Sequence, residues 1–305
     1  GVGVFGQPIT ATVNVAGSQG GTPNSGTVDV TTAYTGPQSP GPSTTPSCSL
    51  TVFAGQATCS LNFSAAGNWS ISAKYNGNTN FQSSTMTPSQ SYSLGKAATT
   101  LSISSLPVPS LADQTVTFTV SLSVVSPGSG TPAGNFTLTA TPAAPGNPGP
   151  TTRTTTWATS GGNQGTITFN GSGSWSVVAK FTDSSGNFLD YTLPAVGYTT
   201  ALNTSTTSIS PPPPATISGN TLDVKFSVGG LTPNGTAPAS GGNNDVTVYA
   251  YNGITQASSC HASLATGTCQ LNNLNTPGTI YTIYAVYAGN YLFATSTSLL
   301  YNVTR

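Results

Sequence analysis

Charge is what this sequence has least of. Of 305 residues, six are Lys or Arg and six are acidic, 4% in all, against about 25% in an average soluble protein. Glutamate is absent, all six acids are Asp, and there is one histidine and one methionine. Each scarcity excludes something. A handful of dispersed cations offers no basic stripe for phosphates, which argues against a nucleic-acid partner. A catalytic carboxylate pair would have to come from Asp29, Asp113, Asp183, Asp190, Asp223 and Asp245, which are scattered along the chain. The one histidine, His261, sits beside Cys260, a poor place for a catalytic triad. No enzyme activity, cofactor or metal site is expected. No apolar run approaches the ~18–20 residues of a membrane-spanning helix, and no charged segment precedes an apolar one, so any signal peptide is expected to have been removed.

Glycine (35) and proline (23) are plentiful, and 36% of residues are hydrophobic. That composition favours short strands joined by turns over helices. The strands repeat. The stretch "GNWSISAKYNGNTNF" returns as "GSWSVVAKFTDSSGNF" and again as "TIYTIYAVYAGNYLF", with Trp69, Trp175 and Tyr281 spaced 106 residues apart. Ala73, Ala179 and Ala285 keep the same interval. A fixed period held twice over makes three copies of one unit, here residues 1–95, 96–200 and 201–305, each large enough to bury a core.

Within a copy the period is two. Trp69, Ile71, Ala73 and Tyr75 share one face of a strand; Trp175, Val177, Ala179 and Phe181, then Tyr281, Ile283, Ala285 and Tyr287, do the same. "ITATVNV", "VTFTVSL" and "LDVKFSV" alternate earlier in each copy, followed by "GTVDV", "GNFTLTA" and "NDVTVYA". Several such strands per copy imply an all-β fold: three tandem antiparallel β-sandwiches. Pro211–Pro214 is expected as an edge or turn after the first strand of the third copy.

Two cysteine pairs flank short segments, Cys48 and Cys59 in the first copy, Cys260 and Cys269 in the third. Each pair is expected to bracket a hairpin and form a disulfide. Zinc is disfavoured because the spacings are not C-x-x-C and one histidine cannot complete a site. Disulfides place the chain outside the cytoplasm. Seven N-x-[ST] sequons, at Asn62, Asn68, Asn135, Asn170, Asn203, Asn234 and Asn302, are candidate N-glycosylation sites; glycans would add solubility that the missing charges do not.

The order "GQ-x-VTFTV", "TP-x-G-x-V" and an aromatic-led strand ending in "A-x-Y-x-GN-x-x-F" resembles bacterial immunoglobulin-like repeats, with copies one and two carrying it best in "TPNSGTVDV" and "TPAGNFTLT". The resemblance implies an immunoglobulin-like sandwich and a role as spacer, adhesive module or filament unit on a cell surface. It implies no catalysis. Copy three departs from it, with an insertion before Asp245.

Aligning "GQPITATVNV" with "ADQTVTFTVSL" leaves copy one without the leading strand that "TTLSISS" and "STTSIS" supply to the others; only "GVGVF" precedes. The uncovered edge suits strand donation from another chain; the alternative is that a leading strand once preceded Gly1 and was cut away. Copies of the chain itself, joined head to tail in an extracellular filament or stalk, are therefore the first candidate partner. The alternative is an adhesin module that binds glycan or a surface. For it the candidate contact is the outer face of copy three, where alternation places Tyr249, Tyr251, Tyr284 and Val286 side by side. Lys74 and Lys180 are expected on the outer face, which disfavours a buried Lys–Asn cross-link.

Overall fold

The computed structural model describes residues 3–36, 42–105, 110–144, 149–239 and 245–305. The side chains of Ser104, Ser105 and Asp245, the first two residues of "GVGVF" and the loop before Asp245 lie outside them. The chain is three tandem immunoglobulin-like β-sandwiches, each with its own hydrophobic cluster.

The first sandwich comprises β1 (Ile9–Asn14), β2 (Thr27–Tyr34), β3 (Ser47–Thr51), β4 (Gln56–Leu61), β5 (Gly67–Tyr75), β6 (Ser84–Thr85) and β7 (Gln90–Leu94). One sheet is β1–β4 alone; the other runs β3-β2-β5-β6, with β7 also on β5. The second adds β8 (Thr99–Ser105), β9 (Ser110–Leu111), β10 (Thr115–Val124), β11 (Gly134–Pro142), β12 (Arg153–Ala158), β13 (Gln164–Thr168), β14 (Gly173–Asp183), β15 (Tyr191–Thr192) and β16 (Val196–Ala201). Its sheets are β13-β10-β8 and β12-β11-β14-β16-β9, with β15 on β14. The third contains β17 (Thr206–Ile209), β18 (Leu222–Gly229), β19 (Asp245–Asn252), β20 (Thr255–Ser263), β21 (Thr268–Leu271), β22 (Ile280–Tyr287), β23 (Ser296–Thr297) and β24 (Tyr301–Thr304). Here the sheets are β17-β18-β21 and β20-β19-β22-β23, with β24 on β22.

The repeated aromatic marks are core anchors. Trp69, Trp175 and Tyr281 are all buried on β5, β14 and β22. Each polar handle finds a partner, as a buried aromatic heteroatom must: Trp69 Nε1–H donates to the Ala65 carbonyl, Trp175 Nε1–H to Thr200 Oγ1, and Tyr281 Oη accepts from Thr276 N–H. The periodic alanines lie opposite Val30, Leu138 and Val248 on the neighbouring strand. A small residue between larger aliphatic and aromatic neighbours on its own face leaves volume for the facing sheet to fill.

The leading segment is split between the two sheets. In the second sandwich β8 pairs antiparallel with β10, and β9 then pairs parallel with β16. The third repeats this with β17 on β18 and a parallel bridge between Thr216 and Thr304. In the first, Val4 bridges Gly95 in parallel, so the described part of "GVGVF" matches the second half of the leading segment and belongs to the opposite sheet from β1. Among the described residues, no strand covers the far edge of β1.

One expectation about the cysteines is corrected. Both bonds form, but neither joins partners within one sheet. β3 pairs with β2 and β4 with β1, just as β20 pairs with β19 and β21 with β18. The arms of each hairpin diverge into opposite sheets, and the disulfide ties the sheets together at that corner. Alternation explains why: Cys48 lies opposite core residue Val30 and Cys59 opposite Ala11, so both thiols face the core, where the two sheets approach.

Candidate functional site

Three surfaces collect the chemistry this chain has. The first is on the outer face of the third sandwich. β19 and β22 pair with Tyr249 directly opposite Tyr284, Thr247 opposite Val286 and Tyr251 opposite Thr282. The inward neighbours Val246, Val248 and Ala250 are fully buried, which fixes the tyrosines on the outside, half-exposed. Their ring centroids lie 5.4 Å (Tyr249–Tyr284), 5.9 Å (Tyr251–Tyr284) and 6.2 Å (Tyr249–Tyr251) apart, within the range of favourable aromatic pairs. Desolvation, then the hydrogen bond with Tyr251 and the proximity of both other phenols, raise the Tyr284 pKa. The cluster is an aromatic plate with hydroxyl rims. Val286 continues it along β22 and is half-exposed.

The second surface is the open edge of the first sandwich. The inward row of β10 is covered, with Val116, Phe118 and Val120 buried, as are Leu222, Val224 and Phe226 on β18. The corresponding row of β1, Ile9, Ala11 and Val13, is only half-buried.

The third comprises the two junctions, which use equivalent positions. Gly6 and Asp113 each follow a short parallel bridge and take the left-handed conformation, φ 80 and 61. At the first junction Ser129 Oγ–H donates to the Gly6 carbonyl at 2.6 Å, Ala66 N–H donates to Asn187 Oδ1 at 2.9 Å, and Phe5 packs edge-on against Phe188. At the second, Thr232 and Thr236 hydroxyls donate to Asp113 Oδ2 at 2.6 and 2.7 Å, and Ser172 N–H donates to the Tyr291 carbonyl. Ala66 and Ser172 are again equivalent, each preceding the glycine that opens β5 or β14.

The remaining candidates are dispersed. Asp29 accepts from Ser49 Oγ and Asn76 Nδ2; these bonds, with Lys74 opposite adding to them against desolvation, hold its carboxyl below the usual range. Asp183 closes a turn: its carboxylate accepts from Ser185 and from Phe188 N–H, and its own N–H donates to Asp190 Oδ1. Asp223 accepts from Gln270. His261 Nδ1 lies 3.0 Å from Thr247 Oγ1 on the exposed face. No cluster of three or more His, Cys, Asp or Glu occurs among the described residues, and no helix there is long and apolar enough to cross a membrane. Lys74 and Lys180 are exposed.

Of the sequons, Asn62, Asn68, Asn135, Asn234 and Asn302 are exposed and Asn170 is half-buried. Asn203 is a correction. It is 2% exposed, and its amide nitrogen donates to the Ala112 and Leu292 carbonyls, so a glycan there is incompatible with the second junction.

Sequence reasoning missed one pair. In the register with β11 and β10, Gly165 lies opposite Phe118, the place that Cys59 takes beside β1, and Thr155 takes the place of Cys48; Trp157, opposite Phe136, stands where Leu50 does, the next inward position along the strand. A Cβ at Gly165 would fall inside the Trp157 ring, and that ring packs 5.4 Å from Phe136. A tryptophan folded over a glycine thus closes the corner that a disulfide closes in the other two sandwiches. The signal was available: Gly165 is 106 residues after Cys59.

Sheets of this order, linked twice in series, define a tandem immunoglobulin-like β-sandwich protein. Residues 2–93, the first sandwich, match the bacterial Ig-like domain (group 3) family model, and two further sandwiches follow it. No match is found among curated proteins. Solved structures align over nearly the whole chain. The FN1–FN3 domains of chicken CNTN1 align over 100% of this chain and 96% of their own, with 12% identity and a TM-score of 0.26. A solved chain from a structure concerning a 1.5-MDa bacterial ice-binding adhesin aligns over 98% of this chain and 90% of its own, with 16% identity and a TM-score of 0.29. The three N-terminal domains of the bacteriophage RB49 outer capsid protein Hoc align over 99% and 95%, at 12% and 0.31. Superpositions this loose say nothing of ligand or partner.

Proposed function

We propose that the chain is a non-enzymatic structural subunit of an extracellular filament or surface stalk, built from units at residues 1–95, 96–200 and 201–305. Copies join head to tail, with strand donation at the edge of β1. The observation that carries this reading is the junction. The same turn and loop of one sandwich dock on the same loops of the next, twice over, so the unit already stacks in series by a repeatable contact. Repeats that contact only their neighbours suit extended assemblies. Two disulfides support secretion into an oxidising space, and the exposed sequons support a glycosylated surface. Electron microscopy of the native material tests the reading: regular fibres of one repeating subunit are expected, and isolated single molecules would overturn it.

A second reading rests on the tyrosine plate. Three contiguous half-exposed rings suit stacking against a sugar or another apolar surface, which makes the third sandwich an adhesin module. Changing Tyr249 and Tyr284 together to Ser separates the roles. Loss of glycan binding with fibres intact supports the adhesin; loss of assembly with a folded monomer makes the plate a subunit contact.

A further inference from the structure

In the second sandwich the segment from Ala97 to Ile103 lies between two rails. Along one, β8 runs antiparallel to the second half of β10, with Leu101 opposite Leu122 and Ile103 opposite Val120. Along the other, Ala97 N–H donates to the Asn187 carbonyl and Leu189 N–H donates to the Ala97 carbonyl, both at 2.9 Å. Thr99 Oγ1–H adds a bond to the Leu189 carbonyl. The third sandwich repeats the arrangement. Asn203 N–H donates to the Leu292 carbonyl and Ala294 N–H to the Asn203 carbonyl, both at 2.8 Å. Ser205 Oγ–H reaches the Ala294 carbonyl, and Ile209 lies opposite Phe226. The inward side chains are Ala97, Thr99, Leu101 and Ile103 in one case, Asn203, Ser205, Thr207 and Ile209 in the other.

The first sandwich has both rails with an open cleft between them. Its volume is about 450 Å³, and its walls include Val15 and Gly17 beyond β1 and Phe81, Gln82 and Ser83 ahead of β6. Register equates Phe81 with Phe188 and Phe293: each lies three residues before the strand residue paired with Tyr75, Phe181 or Tyr287. Phe188 and Phe293 are buried at 2% and 0%. Phe81 is half-exposed.

We infer that this cleft takes an extended strand supplied from outside residues 1–305, antiparallel to β1, whose inward side chains read Ala or Asn, then Thr or Ser, then Leu or Thr, then Ile. The inference rests on the strand-accepting part of the proposed function and adds occupant, polarity and register. Main-chain bonds to a sheet edge supply affinity in such additions, and pockets for alternate side chains supply specificity. Here Ile falls opposite Val13, Leu or Thr opposite Val15, and the first residue exchanges backbone bonds with Asn80 and Gln82. Both matching segments of this chain are held within their own sandwiches, so the donor comes from outside residues 1–305.

The test uses the 305-residue chain and a labelled peptide of sequence "KAATTLSIS", that of residues 96–104. Saturable binding of one peptide per chain is expected, with amide exchange slowed at Ala16, Ser18 and Gln82. An Ile103→Asp change in the peptide should weaken binding at least tenfold. Gln82→Pro in the chain, which removes one main-chain donor from an exposed position, should do the same without altering the circular dichroism spectrum. Binding indifferent to both changes, or protection elsewhere, overturns the inference. Fibres in native material together with a peptide that does not bind overturn the occupant and leave the filament reading standing. A bound peptide with native material that is only single molecules does the reverse. Native single molecules together with a 305-residue chain that binds no peptide overturn both.

Discussion

The first and second sandwiches share a core plan and differ at two places. At the corner between sheets, Cys48–Cys59 in one becomes Trp157 over Gly165 in the other. At the edge, β8 covers the inward row of β10, whereas the row of β1 stays half-buried. The contrast teaches which requirement is negotiable. A corner needs only something that spans the two sheets, and a covalent bridge or a large ring resting on a bare backbone both serve. An edge needs backbone donors and acceptors in register over several residues, and no side-chain substitution supplies those.

The largest effect expected from this comparison is in the core both sandwiches share. Trp175→Ala should cost the middle sandwich about 3–5 kcal/mol, read as a lowered second transition in calorimetry. Trp69→Ala should cost the first sandwich less, because its sheet is thinner and relaxes more readily. Equal losses would mean that the missing strand does not loosen the first core.

Reduction of the disulfides comes next. Loops of 11 and 9 residues correspond to about 3 kcal/mol each in the loop-entropy picture. A reductant should lower the first and third transitions and leave the middle one unmoved. Conversely, Gly165→Ser should lower only the middle transition, by about 1–3 kcal/mol from overpacking against Trp157. The double change Thr155→Cys with Gly165→Cys, at the places of Cys48 and Cys59, sharpens the point: a third disulfide should form, detected by thiol titration and mass. Two free thiols would mean that the corners are not equivalent.

The junctions allow a subtler comparison. Asp113→Gly gives the second junction the residue of the first and keeps the left-handed turn while removing two hydroxyl bonds to Oδ2. The coupling between the second and third transitions should fall by about 1–2 kcal/mol, and amide exchange at Thr232 and Thr236 should quicken. The smallest effect is that of pH. Asp29 has a depressed folded pKa, so its contribution is complete above the unfolded carboxylate value and is lost only as pH falls through the lower folded one. With no Glu and one exposed histidine, melting temperatures should be flat between pH 7 and pH 5 and fall only below about pH 4. A steep drop between 7 and 5 would contradict this.

Much of this was legible in the sequence because it is written at period two. Trp69, Trp175 and Tyr281, and the face of Tyr249, Tyr251 and Tyr284, follow from alternation once the strand is recognised. The divergence of each cysteine hairpin into two sheets was not legible, since spacing says that two residues can meet but not which sheets they join. Asn203 shows the limit from another side. Its sequon is a local pattern, but its burial comes from Ala112 and Leu292, about 90 residues away on either side. The junction chemistry of Gly6, Ser129, Asp113 and Thr232 was hidden for the same reason: these are loop residues with no periodicity, joined across more than a hundred positions of chain.

The corner built from Trp157 and Gly165 has a consequence for oxidative folding. Four cysteines permit three pairings, and the middle sandwich contributes none, so every wrong pairing must close a loop of about 200 residues or more. Relative to the native 11- and 9-residue loops, that closure costs about 2.6 kcal/mol more in chain entropy, close to a hundredfold. The thiol-free centre therefore acts as an insulator: each end of the chain can oxidise on its own, in either order, with little scrambling for an isomerase to repair.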